Sequence, residues 1–326
     1  VTGPFRSQSP LTYVLLFVYG LLLRLSAFLE PTPPITGATD GILYKMLLGA
    51  MSETSGIPGI LWPLLAYLLV YGQALWLDWH MNRERLLGKA GHIPAMTYLL
   101  VTALVPDWWG FSAPLLANIL LLPVISLTSD ILNNRRAGML MFYAGLLTGL
   151  ASLLHFPSFL LILLAFFGIV SLGPFPMVVW LLALTGFLLP YYYVFSLQFL
   201  LSEWDPGAVW MAFRPTLPTI HSPGTGVWTW VALLLPLAIG IWHMNRQVFR
   251  MLIRNRKCWN LFIVLLAIAS AAPFLFPSKG AALWIALAPG LAAYHANAYV
   301  HVRRRWMAEL LHLSCLAAVL LAHLTR

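Results

Sequence analysis

The sequence predicts an all-α, polytopic integral membrane protein, and three observations carry that prediction. Hydrophobic residues make up 60% of the 326 positions and charged residues only 9%, against roughly 45–50% and 25% in soluble domains. Nearly the whole chain divides into apolar runs of membrane-spanning size, which leaves no room between them for a soluble domain of ordinary dimensions. Lysine and arginine gather in short segments between those runs, the pattern that orients helices in a bilayer.

The runs are 11–29, 57–79, 93–106, 111–131, 138–155, 157–173, 176–201, 227–243, 258–276, 280–298 and 306–324, about eleven transmembrane helices. The first has only Arg6 ahead of it and no small-residue cleavage pattern behind it, so it reads as a retained anchor. Runs 93–106 and 157–173 fall short of the roughly 20 residues a bilayer needs and are expected to be tilted, broken or partly re-entrant. With the N-terminus in the cytoplasm, fourteen of the nineteen cations lie inside: Arg6, Arg83, Arg85, Lys89, Arg135, Arg136, Arg246, Arg250, Arg254, Arg256, Lys257 and Arg303 to Arg305. The opposite side keeps Arg24, Lys45, Arg214, Lys279 and Arg326 with Glu30, Asp40, Glu53, Asp107, Glu203 and Asp205, giving an acidic outer face. This distribution predicts a multi-pass membrane protein with its basic loops in the cytoplasm. The net charge of +9 is thereby explained by orientation, and no nucleic-acid partner is expected.

The five letters Trp79-His80-Met81-Asn82-Arg83 return as Trp242-His243-Met244-Asn245-Arg246, each copy closing an apolar run and opening a basic segment. A duplication follows as the first question. The halves would be 1–156 and 176–326, parallel repeats of five helices joined by a short helix in 157–175; Pro10 then aligns with Pro176, Gly20 with Gly186 and His155 with His323. Chance matching of apolar sequence explains the same coincidences outside the pentapeptide.

Two outer loops are long. In 30–56, Pro31, Pro33 and Pro34 hold the chain extended ahead of Asp40 and of a run, Ile42 to Leu48, in which Lys45 is the only charge; a short helix lying flat at the interface is expected there. Loop 202–226 carries Pro206, Pro215, Pro218 and Pro223 and reads as an ordered lid.

Candidate chemistry is sparse. The repeated pentapeptide has two readings: a paired site at His80 and His243, or tryptophans in the headgroup belt with arginines anchoring the inner surface, which needs no further cause. No two of the nine histidines stand four residues apart, so the helical two-histidine metal pattern is absent, and neither metal nor cofactor is expected. Cys258 and Cys315 read as small packing residues. Asp78, Asp130 and Glu309 are placed near water at inner helix ends, Gln73, Asn118 and Gln198 are expected to bond helix to helix, and Gly145 with Gly149 forms a small-xxx-small packing face. At the outer face, Asp40 stands where a carboxylate can act on a substrate held at the membrane surface, with Arg24, Lys45 and Arg214 as phosphate binders; a solvated loop acid beside unrelated cations is the simpler alternative.

An inside N-terminus, one span, an outer loop with Asp40 ahead of an interfacial helix (Ile42–Met51), and the turn Pro106-Asp107-Trp108-Trp109 resemble the type C glycosyltransferases, over residues 11 to about 201. That resemblance implies a polyprenyl-phosphate-linked sugar donor, Asp40 as general base, help from Asp107, and Arg24 or Arg214 near the lipid phosphate. The first loop is short for that family, the acid is single, and the C-terminal soluble domain of many members is missing. Segment 111–118 (Phe111 to Asn118) is also similar to an uncharacterised family of bacterial multi-pass proteins, which implies no activity. The alternative to an enzyme is a transporter or cell-envelope assembly subunit, with a protein partner docked on the basic 244–257 loop.

Overall fold

The computed structural model describes residues 3–7, 9–53, 58–131, 136–173, 176–201, 204–205, 207, 209, 215, 217–218, 226–276, 280–302 and 304–325. Among them the chain is helical, with no strand and a single isolated β-bridge, Asp40 to His155. Its α-helices are α1 (Leu11–Leu23), α2 (Leu25–Leu29), α3 (Ile42–Glu53), α4 (Leu61–Arg83), α5 (Ile93–Ala103), α6 (Ala113–Ser129), α7 (Ala137–Leu154), α8 (Ile162–Leu172), α9 (Met177–Leu200), α10 (Val227–Gln247), α11 (Ile253–Leu275), α12 (Ala288–His301) and α13 (Arg305–Leu324).

Among the described residues, five segments are long and apolar enough to cross a membrane: Ala137–Leu154, Met177–Leu200, Val227–Arg250, Ile253–Leu275 and Trp306–Leu324. The chain is therefore a helical membrane protein. The remaining expected spans are shorter or more polar, for local reasons. Run 11–29 is broken at Arg24, whose backbone leaves the helical region between α1 and α2. Runs 157–173 and 280–298 each open with a 3-10 turn, Phe156–Leu161 and Ala282–Leu287, before α8 and α12 begin.

Two of the short helices form the centre. Every residue of α5 is buried, as is α12 from Ala288 to Tyr299. At 1.5 Å per residue α5 is roughly 16 Å long, half a bilayer core, so it depends on being enclosed by protein. The two run antiparallel: the Thr97 hydroxyl donates to the Ala292 carbonyl at 3.0 Å, and the segment Phe5–Arg6 touches both the start of α5 and Tyr299 near the end of α12. Polar side chains tie this centre to its neighbours. Gln73 donates to the Leu115 carbonyl (2.8 Å) and accepts from the Tyr98 hydroxyl (2.6 Å), and Asn118 donates to the Ile285 carbonyl (2.9 Å), the helix-to-helix bonding expected of them. Gln198 differs: its side-chain oxygen is buried without a partner among the described residues.

Helices α7 and α9 pack side by side in the same direction, because small residues let their backbones meet. A Cβ on Gly145 would lie 2.0 Å from the Ala183 carbonyl oxygen, and one on Gly149 would lie 2.4 Å from that of Phe187. Both contacts join the proposed halves, as does α5 against α12.

Both copies of the repeated pentapeptide are helical, and each helix ends at its copy, four residues beyond the end of the apolar run. Helix α4 continues to Arg83 and α10 to Gln247. The basic 244–257 stretch is likewise mostly helix, leaving only Met251 and Leu252 between a 3-10 turn and α11. Asp78, expected near water, is instead buried and shares a hydrogen bond of 2.8 Å with His92 Nδ1. Both cysteines are free and buried.

Candidate functional site

The end of the bundle where α5 finishes holds three of the sequence candidates around one segment, residues 102–111. Arg24 sits at the break between α1 and α2 and is 1% exposed. Its guanidinium donates to the Thr102 carbonyl at 3.1 Å and to the Trp108 carbonyl at 3.4 Å, while Nε has no partner among the described residues. Among the described residues it forms no ion pair with a carboxylate. A cation withdrawn from water without a counter-charge costs several kcal/mol even after relaxation, which is why such a group marks a functional candidate.

Asp107 follows in the 3-10 turn Pro106–Trp108 and accepts a 2.5 Å hydrogen bond from the Ala281 N–H. It lines a cavity of ≈180 Å³ with Ala27, Thr32, Pro63, Pro106, Trp109 and Gly110. That is below the roughly 300 Å³ at which pockets for whole organic ligands begin, so the cavity suits a headgroup-sized fragment. Trp108 anchors the same turn by donating to the Ala281 carbonyl at 2.8 Å.

Asp40 reaches the segment through its neighbour. Tyr44, one helical turn on in α3, is fully buried and donates to the Phe111 carbonyl at 3.4 Å. Asp40 itself is buried, and one carboxylate oxygen accepts from the Gly37 N–H at 2.6 Å. Burial pushes its pKa up; the Gly37 hydrogen bond and the charge of Lys45 offset that only in part. The carboxyl is held there by backbone bonds on both sides, Gly41 N–H to the Leu154 carbonyl (2.9 Å) and Phe156 N–H to the Thr39 carbonyl (3.1 Å). Gly41 is what lets the loop close. A Cβ there would sit 2.0 Å from the Leu153 carbonyl oxygen, so no other residue fits without moving α7. Lys45 is exposed on α3, beside exposed Met46 and Leu47. Arg214 lies outside the described residues, as does most of loop 202–226.

Gly41 and Tyr44 escaped the sequence reading, and His155 entered it only as the counterpart of His323. A glycine directly after the acid was the available signal for Gly41; the docking of residue 40 on residue 155 has no local signature. His155 and His323, aligned by the repeat, have different neighbours. His155 is buried at the Asp40 bridge, whereas His323 contacts the Leu23 carbonyl (3.0 Å), Ser26 and the Trp109 ring.

The other end of the bundle is built from ion pairs. Glu84 follows α4 and receives Arg254 from α11 at 2.6 and 2.9 Å and Arg83 at 3.0 Å, while Arg83 also donates to both oxygens of Asp130 at 2.8 and 2.9 Å. Burial raises the Glu84 pKa, but the bonds and charges of Arg254 and Arg83 outweigh it and hold the carboxyl below the ordinary range. His80 and His243, the paired site of one reading, have separate partners: His80 is buried against Ser126 Oγ (2.8 Å), and His243 packs on Trp242. No family model matches the chain, and neither a curated protein nor a solved structure matches it.

Proposed function

We propose that the chain is a membrane-embedded transferase of the type C glycosyltransferase kind, acting on a polyprenyl-phosphate-linked sugar at the outer face of a bacterial inner membrane. In this reading the N-terminus is cytoplasmic, about eleven segments cross or enter the bilayer, and the Asp40–Arg24–Asp107 end faces outward. One observation supports it above the rest: a buried carboxyl with a raised pKa lies on a loop whose Tyr44 bonds to segment 102–111, and a buried arginine with no acidic partner among the described residues bonds to the same segment. Asp40 would take the proton from an acceptor hydroxyl as that oxygen attacks the anomeric carbon. The sugar–phosphate bond breaks, and polyprenyl phosphate leaves with its charge met by a cation such as Arg24 or Lys45. A base whose pKa is moved toward neutrality by burial suits that proton transfer.

The test is turnover by the purified chain in lipid vesicles, offered a panel of polyprenyl-phosphate hexoses and pentoses with release of polyprenyl phosphate as the readout. Asp40→Asn should keep the wild-type melting temperature and lose about 100-fold or more in rate. Equal rates for the two proteins, or no release from any donor, would discard the transferase. The surviving reading would then be a transporter or assembly subunit, with a protein partner at 244–257.

A further inference from the structure

The cations at the ion-paired end fall into two groups. Arg83 and Arg254 are matched by Glu84 and Asp130. Arg6 and Lys89 are not: among the described residues neither has an acidic partner, and both line one cavity of ≈270 Å³ with Leu87, Ala90, Gly91, Ile93 and Val300. Three distant pieces of chain meet there: the N-terminal segment, the connection from α4 to α5, and the last turn of α12.

The cavity is built rather than incidental. The Phe5 ring is buried, and the Phe5 carbonyl accepts the His92 N–H at 2.8 Å. Arg6 is steadied by one donor to the Tyr299 carbonyl at 2.9 Å, which leaves the rest of its fork unpaired among the described residues. Gly91 is pinned through both backbone groups to the Asn82 side chain, at 3.0 and 3.2 Å, and a Cβ on it would come within 3.1 Å of the Arg6 carbonyl oxygen. So the fold brings the two cations to one recess, which Leu87, Ile93 and Val300 line with apolar side chains.

We propose that this cavity binds the phosphodiester headgroup of an anionic membrane phospholipid, with Arg6 and Lys89 on the phosphate and the upper acyl chain or glycerol against Leu87, Ile93 and Val300. Basic recesses between membrane helices are the places where anionic headgroups lodge, at about 1 kcal/mol for each Lys or Arg near the surface. The mixed lining selects a lipid over a free anion, because inorganic phosphate would satisfy the cations and leave the apolar wall wet. The proposal stands apart from the transferase reading, since it concerns the other end of the bundle and needs no turnover.

The experiment is native mass spectrometry of the full chain, titrated with phosphatidylglycerol, phosphatidylethanolamine or inorganic phosphate. The expected result is retention of phosphatidylglycerol in preference to phosphatidylethanolamine, weakened about tenfold or more in Arg6→Gln/Lys89→Gln and unchanged in the control Lys257→Gln. Equal retention of the two lipids, an unaffected double variant, or an equal loss in the control would overturn the site. Binding of inorganic phosphate with the same affinity would reassign it to a soluble anion. Because Arg6→Gln also removes the bond to the Tyr299 carbonyl, Lys89→Gln alone serves as the second variant and should still weaken binding by several-fold.

Discussion

The same five residues end α4 and α10, and the two copies live in different surroundings. Some of the five behave alike. Trp79 and Trp242 are half exposed, each with its arginine stacked over the ring, at 4.7 and 3.9 Å, and Met81 and Met244 are both buried. The histidine and asparagine diverge. His80 is fully buried, bonded to Ser126 and stacked on Trp76, and Asn82 holds the backbone of Gly91. His243 is only partly covered and Asn245 is exposed. Arg83 joins the Glu84–Asp130–Arg254 network, whereas Arg246 stacks on its tryptophan and has no ion pair among the described residues. Identical letters on a helix therefore share what the helix itself supplies, an i to i+4 stack of arginine over tryptophan. They differ in what neighbouring helices bring.

Substitutions at matched positions sharpen that contrast. The largest difference is expected at the histidines. His80→Ala should lower unfolding free energy by about 2–4 kcal/mol, through a lost buried ring and an orphaned Ser126 hydroxyl, and His243→Ala by about 0.5 kcal/mol or less. Denaturation of both variants in one detergent measures it; equal losses would break the comparison. Next come the asparagines. Asn82→Ala removes two hydrogen bonds to Gly91 and should cost about 1–2 kcal/mol, with Asn245→Ala close to neutral, as thermal melting would report.

The smallest effect is a pH dependence confined to the first copy. The Glu84 pKa is lower folded than unfolded, so its contribution to stability is complete above the ordinary carboxylate value of about 4.3 and is lost as pH falls through the folded value. Arg254 and Arg83 are 47% and 32% exposed, which screens the pairs and limits the effect to about 1 kcal/mol. Wild-type melting should therefore drop faster than that of Glu84→Gln between about pH 5 and 3; parallel curves would show that the network contributes nothing measurable.

Much of the fold was legible because it depends on local sums. Hydropathy along 137–154, 177–200 and 253–275 is enough to place long apolar helices, and the spacing of Gly145 and Gly149 is enough to place a close helix contact. The short runs were legible as short, and the expectation that 157–173 is broken matches the 3-10 turn at Phe156–Leu161. The candidate site was legible only as a roster. Asp40, Arg24 and Asp107 stand out as rare charges in an apolar chain, but nothing near them in sequence says that Arg24 and, through Tyr44, the Asp40 loop attach to the segment that carries Asp107.

By itself, then, the sequence determined the class of molecule, the positions of its apolar helices and the rarity of its charges, since each is a property of composition within a window of about twenty residues. The tertiary structure alone decided which of two identical histidines is buried, that Glu84 meets Arg254 across the chain, and that the loop carrying Asp40 docks on His155. The physical reason is that a side chain's exposure, and the charge that faces it, are set by whichever helix packs alongside. In this protein that helix is often more than a hundred residues away.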